Sequence, residues 1–155
     1  MLREDYLLRM IAQMGRVLAR IRQLLLEGKH AEAGDELERA AHQGGIDRRL
    51  LIVLDEESLQ RLLLTGGEID RPKCAFFAEL VYLDWRRHVA MGHGDMAARC
   101  ARRALLLYAL AYDGLIIGDE TRQRVAELQR FEESEPDGNH GAPPAASRRR
   151  ETQSG

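Results

Sequence analysis

The chain contains few of the residues that interrupt helices or cross-link small folds. It has four prolines and two cysteines among 155 residues. Pro143 and Pro144 lie near the C-terminus, so most of the chain is free to form helices. Cys74 and Cys100 have no C-x-x-C spacing, which argues against a disulfide framework and favours two small buried side chains in a reducing compartment.

The sequence also lacks a strong charge bias and a long apolar run. Its formal net charge is −2, so it has no broad positive field of the kind that nucleic-acid binding proteins usually carry. The longest apolar run, residues 104–112, is about half the length that a membrane span needs. Charged residues at positions 3–5 interrupt the N-terminus, so no signal peptide is expected. We therefore expect a soluble, cytoplasmic protein with no membrane segment.

The N-terminal segment carries the clearest periodicity. Apolar residues recur at the first, fourth and fifth positions of its heptads, a spacing that is typical of a helix with a broad core-facing stripe. These residues are Leu7, Met10, Ile11, Met14, Val17, Leu18, Ile21, Leu24 and Leu25. The pattern predicts a helix from Asp5 to Glu27.

A second, thinner stripe on the same helix consists of small and aliphatic residues, namely Leu8, Ala12, Gly15, Ala19 and Leu26. Residues at this spacing lie near one face of a helix, and small side chains let another helix approach closely. Two interpretations are open: a surface of short side chains, or a second packing face within the protein or between subunits. A symmetric homodimer would place Leu8, Ala12, Gly15 and Ala19 in the contact.

Two glycines predict reversals of the chain. Gly28 and Gly92 each follow an apolar-striped segment, and glycine lets a chain leave a helix through the left-handed conformation. Small or apolar residues follow at matched spacing, Ala33, Leu37 and Ala40 after the first glycine and Ala97, Ala101 and Ala104 after the second. We therefore predict two antiparallel helix hairpins.

Aspartate and proline mark the starts of the remaining helices. Including the helix of residues 5–27, we expect helices at 30–42, after Asp47, after Asp55, at 71–91, at 96–112 and from Asp119. That makes about seven helices, and no sheet is expected because no segment alternates with a period of two. Residues 132–155 contain no aromatic side chain and no aliphatic one larger than alanine. We therefore expect one helical domain at 1–131 and a disordered tail at 132–155.

The helix–glycine–helix pattern of the first hairpin resembles the tetratricopeptide repeat. The positions that this resemblance assigns to packing are Val17, Ile21, Leu24, Gly28, Ala33, Leu37 and Ala40, and all of them are apolar or small. Gly45 stands where the family has a closing proline. The resemblance implies an all-α, right-handed stack of antiparallel hairpins, with a degenerate middle repeat at 47–64.

The second hairpin matches the same pattern less completely. Gly92, Ala97 and Ala104 agree with it, whereas His88 occupies a position where a large apolar residue is expected. The opening residues 5–15 are also similar to the start of a family of short, uncharacterised bacterial helical proteins, which has no assigned activity to transfer.

His88, His93 and Asp95 form the tightest cluster of metal-ligand residue types. Helical pairs of zinc ligands are usually four residues apart, whereas these histidines are five apart and span a turn; Cys74 or Cys100 would have to supply a thiolate. We interpret the cluster as a histidine at a helix C-terminus followed by a polar turn, so no metal or other cofactor is expected. The chain has no nucleophile elbow, phosphate loop or dinucleotide fingerprint, so no catalytic residue and no enzymatic activity are expected.

Two arginine clusters remain. Arg86 and Arg87 lie near the end of one predicted helix, and Arg99, Arg102 and Arg103 lie in the next. An antiparallel hairpin brings both clusters towards one edge, where they would bind an anionic ligand or a partner. The other interpretation is a solvated face on which they pair with Asp84, Asp95 and neighbouring acids.

These observations favour a non-catalytic protein–protein interaction module or scaffold of the tetratricopeptide-repeat type. Stacked hairpins leave a concave groove that suits a peptide or a partner helix. The alternative function is nucleic-acid or anionic-ligand binding through the arginine patch. The sequence does not identify the partner.

Overall fold

The computed structural model describes residues 2–134, including their side chains except at 2–8 and 10. Its elements are α1 (Leu2–Leu26), α2 (His30–Gln43), α3 (Arg48–Val53), α4 (Glu56–Leu62), β1 (Leu64–Thr65), β2 (Glu68–Ile69), α5 (Arg71–Ala90), α6 (Gly94–Tyr112) and α7 (Asp119–Ser134). Seven helices in this part of the chain confirm the predicted all-α fold. The predicted disordered tail lies outside the described residues from position 135 onward.

Both predicted reversals occur. Gly28 has a φ of 74° and Gly92 a φ of 77°, values that other residues adopt with strain. The residue after each glycine donates its N–H to a carbonyl five positions earlier, at 2.9 Å in both turns. This bond is typical of the Schellman motif. It ends α1 and α5 and directs the chain into α2 and α6, so the two antiparallel hairpins are confirmed.

Helix α5 occupies the centre of the fold. It packs along most of its length against α6 and also contacts α1, α2 and α3, while α7 packs on α6. Phe77 and Leu83 of α5 are fully buried, and Ala33, Ala97 and Ala101 of the neighbouring helices are buried as well. Short side chains at these positions let helix backbones approach closely, as their spacing predicted.

The segment between the hairpins corrects one prediction. Asp47, Asp55 and Asp70 cap α3, α4 and α5 through their carboxylates, as expected. The expectation of no sheet is wrong, because β1 and β2 pair as an antiparallel ladder of two residues each. Gly66 and Gly67 both have positive φ, which suits a tight hairpin turn. Strands of two residues are too short to show an alternation of apolar and polar side chains, so the sequence contains no signal for them.

The predicted domain boundary after residue 131 falls inside α7, which ends at Ser134. Leu128 is the fully buried residue of this helix. The helix continues beyond it, so its last turn includes the polar residues 132–134, which composition alone assigned to the tail. None of the helices in residues 2–134 is both long enough and apolar enough to cross a membrane.

Two buried tyrosines connect the last three helices. The Tyr108 hydroxyl donates to Glu79 Oε2 at 2.7 Å, and the Tyr82 hydroxyl donates to Glu127 Oε1 at 2.6 Å. Arg124 Nη1 lies 3.3 Å from the same Glu79 oxygen. Burial, followed by the bond to Glu127, raises the pKa of Tyr82 to about 12. Burial and the Glu79 carboxylate also raise the pKa of Tyr108.

We expect the free energy of unfolding to fall as the pH rises above about 10, the pKa of an unperturbed tyrosine. Above that pH the unfolded chain releases tyrosine protons that the native state retains, so linkage favours unfolding. Urea titrations at a series of alkaline pH values measure the slope. Tyr82→Phe removes one of the two groups and should flatten the dependence; an equally steep slope in this variant would contradict the assignment.

Candidate functional site

The apolar stripe of α1 is only partly covered by the rest of the fold. Ile21 and Leu24 are buried, Met14 and Val17 are half-buried, and Ile11 is 53% exposed. The difference follows from length, because α1 has 25 residues and its hairpin partner α2 has 14. The N-terminal part of α1 therefore extends past α2, and the described residues of the stripe become more exposed from Ile21 to Ile11.

A groove of about 410 Å³ lies beside this part of α1. It is bounded by the middle of α1, the end of α2 and the start of α5. Its lining residues are Gln13, Met14, Val17, Ala40, Gln43, Gly44, Asp70, Pro72, Lys73 and Phe76. Apolar walls with a few polar groups are the surface that receives the apolar face of a helix.

The second stripe of α1 is also open. Ala12, Gly15 and Ala19 are exposed, and Leu26 is 73% exposed. A Cβ atom added at Gly15 would meet nothing within 4 Å. The side chain of Leu8, the remaining residue of the predicted dimer face, lies outside the described part of the chain. A homodimer through this face stays a prediction.

The flank of the same helix is basic. Residues 9–26 contain four arginines, Arg9, Arg16, Arg20 and Arg22, and no acidic residue. The first three are exposed and are spaced so that they share one side of the helix. Arg20 also pairs with Glu36 of α2 at 3.0 Å. An apolar face beside exposed arginines favours a partner whose own flank is acidic.

Two of the five arginines predicted to form an anion patch bind groups of their own chain. Arg87 Nε donates to the carbonyl of His30 at 2.9 Å. The Nη atoms of Arg103 donate to the carbonyls of Leu51 and Leu54, at the C-terminal end of α3. These two side chains act as internal ties between elements.

The other three arginines, Arg86, Arg99 and Arg102, are exposed. Arg99 and Arg102 line a surface cleft together with Arg103 and the acidic Glu56. Arg99 and Arg102 thus lie close together on the surface, whereas Arg87 of the first cluster and Arg103 of the second are partly buried and bound to backbone carbonyls. This arrangement gives anionic-ligand binding less support than five free arginines would.

Asp84 of α5 lies at the centre of a buried ion network. Its side chain is 3% exposed and accepts a bond from Arg48 Nη1 at 2.8 Å and from Arg87 Nη1 at 3.0 Å. Arg48 belongs to α3, so one carboxylate ties two elements together. The sequence suggested that Asp84 pairs with arginine on a solvated face; the pairing occurs, but in the interior.

His88 and Cys100 complete the surroundings of Asp84. His88 Nε2 lies 3.4 Å from Asp84 Oδ1, and Cys100 Sγ lies 4.0 Å from Asp84 Oδ2. Donor atoms of the three residues are all within 4.8 Å of one another, so their types and spacing resemble a metal centre. Arg48 and Arg87 already bond both carboxylate oxygens, and burial raises the pKa of the Cys100 thiol, which disfavours the thiolate that a metal requires. The trio therefore fits an ion-paired core better than a metal centre.

The other ring nitrogen of His88 faces His93 across the α5–α6 turn. The two Nδ1 atoms are 3.2 Å apart, His88 is buried and His93 is exposed. Burial is the largest influence on His88 and lowers its pKa, and it outweighs the opposing effect of Asp84. The spacing of five residues drew attention to this pair, but only the folded turn shows which nitrogen atoms meet.

Comparison of the chain with protein-family models, curated proteins and solved structures finds no match. A function for this protein has to be inferred from the geometry of its own residues. Among the described residues, the apolar face of α1 and its adjoining groove combine exposed apolar side chains with an open cleft.

Proposed function

We propose that this protein is a non-catalytic interaction module that binds an amphipathic helix of a partner protein along α1. The observation that carries the proposal is the apolar face of α1, which the elements within residues 2–134 leave partly uncovered. Ile11 and the groove walls at Met14 and Val17 supply apolar contacts. Helix-binding grooves of this kind accept anchors spaced at i, i+3 or i+4, and i+7.

The charge of α1 favours one class of occupant. Pairing with a second copy through this face would bring the arginines of two α1 helices towards one another, which like-charge repulsion disfavours. The C-terminal residues 135–155 contain no large apolar side chain, so they cannot fill an apolar groove. An acidic amphipathic helix from another protein satisfies both the apolar stripe and the basic flank.

We further propose a cytoplasmic location and a tetratricopeptide-like arrangement of the hairpins. Cys74 and Cys100 are both free and buried, which suits a reducing compartment. Ile21, Leu24 and Leu37, which the resemblance assigned to packing, are buried between α1, α2 and α5, which supports the arrangement.

The binding surface can be tested with displayed peptides. We expect a library of helical peptides, selected on the wild-type protein, to yield apolar stripes with acidic flanks. Met14→Glu should weaken the selected peptides by at least about tenfold, because Met14 lines the groove and its replacement places a carboxylate against the apolar and acidic faces of the ligand. Fluorescence anisotropy measures the affinity, and circular dichroism checks that the variant remains helical.

Ala109→Glu provides the matched control, since Ala109 is exposed on α6 and should leave peptide affinity unchanged. The proposal is overturned if the selected peptides bind Met14→Glu as tightly as wild type. It is also overturned if analytical ultracentrifugation finds a wild-type dimer that Met14→Glu dissociates, because a second copy would then occupy the groove.

A further inference from the structure

The His88 and His93 rings are placed as two ligands of one metal ion would be. Their Nδ1 atoms are 3.2 Å apart, and their ring planes are inclined by 41°. Two imidazole nitrogens bound to a tetrahedral Zn²⁺ at its usual bond length are about 3.3 Å apart. The separation therefore matches one edge of a tetrahedral site, and it also matches an N–H···N hydrogen bond.

The surroundings of His88 leave its Nδ1 free to act as a ligand. Its Nε2 lies 3.4 Å from Asp84 Oδ1, so the tautomer with the proton on Nε2 directs that proton towards the carboxylate and leaves the lone pair on Nδ1. Metal-bound histidines usually donate their other N–H to a carboxylate or carbonyl in this way. Asp84 itself stays bound to Arg48 and Arg87 and serves as the group that orients the ligand.

His93 makes the pair accessible from solvent. It is the N-cap residue of α6, yet its side chain makes no capping bond, and the residue is exposed. An ion can therefore reach Nδ1 of both rings from solvent, and water can complete its coordination. Imidazole ligands suit zinc, copper and nickel rather than calcium or magnesium.

We propose that His88 and His93 form a binding site for a divalent transition-metal ion at the α5–α6 turn, with Asp84 positioning His88. The site has two protein ligands and open positions, and it uses Nδ1 of His88, the opposite ring nitrogen from the one that faces Asp84. It does not depend on α1 or on the proposed partner helix.

Isothermal titration of the full chain with ZnCl₂ tests the site. We expect one Zn²⁺ to bind the wild-type protein and His42→Gln with the same affinity, and His93→Gln to lose that affinity. His42 is exposed near the end of α2 and serves as the matched control. His93 is exposed, so its replacement should not unfold the chain, and circular dichroism verifies this.

Nitrogen-15 NMR of the imidazole rings distinguishes a metal ligand from a merely hydrogen-bonded pair. Zn²⁺ should shift the Nδ1 signals of both His88 and His93 and leave Nε2 of His88 protonated. The proposal is overturned if His93→Gln binds Zn²⁺ as tightly as wild type, if the wild type binds none, or if the two Nδ1 signals do not respond to the metal.

Discussion

Asp84→Ala is expected to lower the free energy of unfolding by about 3 kcal/mol, at the lower end of the cost of breaking a buried ion pair. The change removes the carboxylate that Arg48 and Arg87 share, and the two guanidinium groups remain in the interior without it. We take the lower end because the Arg48 side chain is 29% exposed and water can compensate part of its loss. Urea unfolding followed by circular dichroism measures the change.

Glu57→Ala is the matched control, because the Glu57–Arg61 pair has the same chemistry on an exposed surface. Its loss should cost between about 0 and 1 kcal/mol. Asp84→Asn keeps the shape of the side chain and removes its charge, so we expect it to retain little of the lost stability. If Asp84→Ala and Glu57→Ala lowered the free energy of unfolding by similarly small amounts, the buried network would stabilise the fold no more than an exposed ion pair does.

Gly34→Ala is expected to cost about 1–3 kcal/mol, in the range of overpacking a well-filled interior or losing buried hydrogen bonds. A Cβ at this position would lie 2.7 Å from Arg87 Nη2 and 2.8 Å from its Cζ. The guanidinium cannot move aside freely, since it bonds both Asp84 and the carbonyl of His30. The added methyl group therefore has to break these bonds or push α2 away from α5.

Gly15→Ala tests whether the cost comes from the contact or from the residue type. Gly15 lies in the open part of α1, so alanine should stabilise the helix by about 0.5–1 kcal/mol through its higher helix propensity. A double-mutant cycle provides the second check. In an Arg87→Ala background the penalty for Gly34→Ala should largely disappear, and an undiminished penalty would place its origin elsewhere.

The local features of the fold could be predicted because their causes are local. Gly28 and Gly92 end helices because glycine adopts a positive φ easily. The carboxylates of Asp47, Asp55 and Asp70 cap helices by accepting hydrogen bonds from backbone N–H groups two or three residues further along the chain. The stripe of α1 was predicted as well. The exposure of Ile11 was not, because the extent of burial depends on where α2 ends.

The roles of Arg87 and Arg103 could not be predicted, because their acceptors lie about 50 residues earlier in the chain. Composition and spacing show that arginines are clustered, but not which of them turn inward. His88 and His93 were found by residue type, and Asp84 was named as a pairing partner. The meeting of two Nδ1 atoms depends on the path of the turn, which no periodicity encodes.

Helix α5 spans the distance between the two proposed sites. Its first turns line the groove at Phe76, and its last turn carries His88, about 18 Å further along at the usual helical rise. Groups this far apart and without shared partners contribute additively to free energy. A chain altered at Met14 should thus keep its affinity for zinc, and one altered at His93 should keep its affinity for the helix, so each activity can be removed while the other reports that the protein is intact.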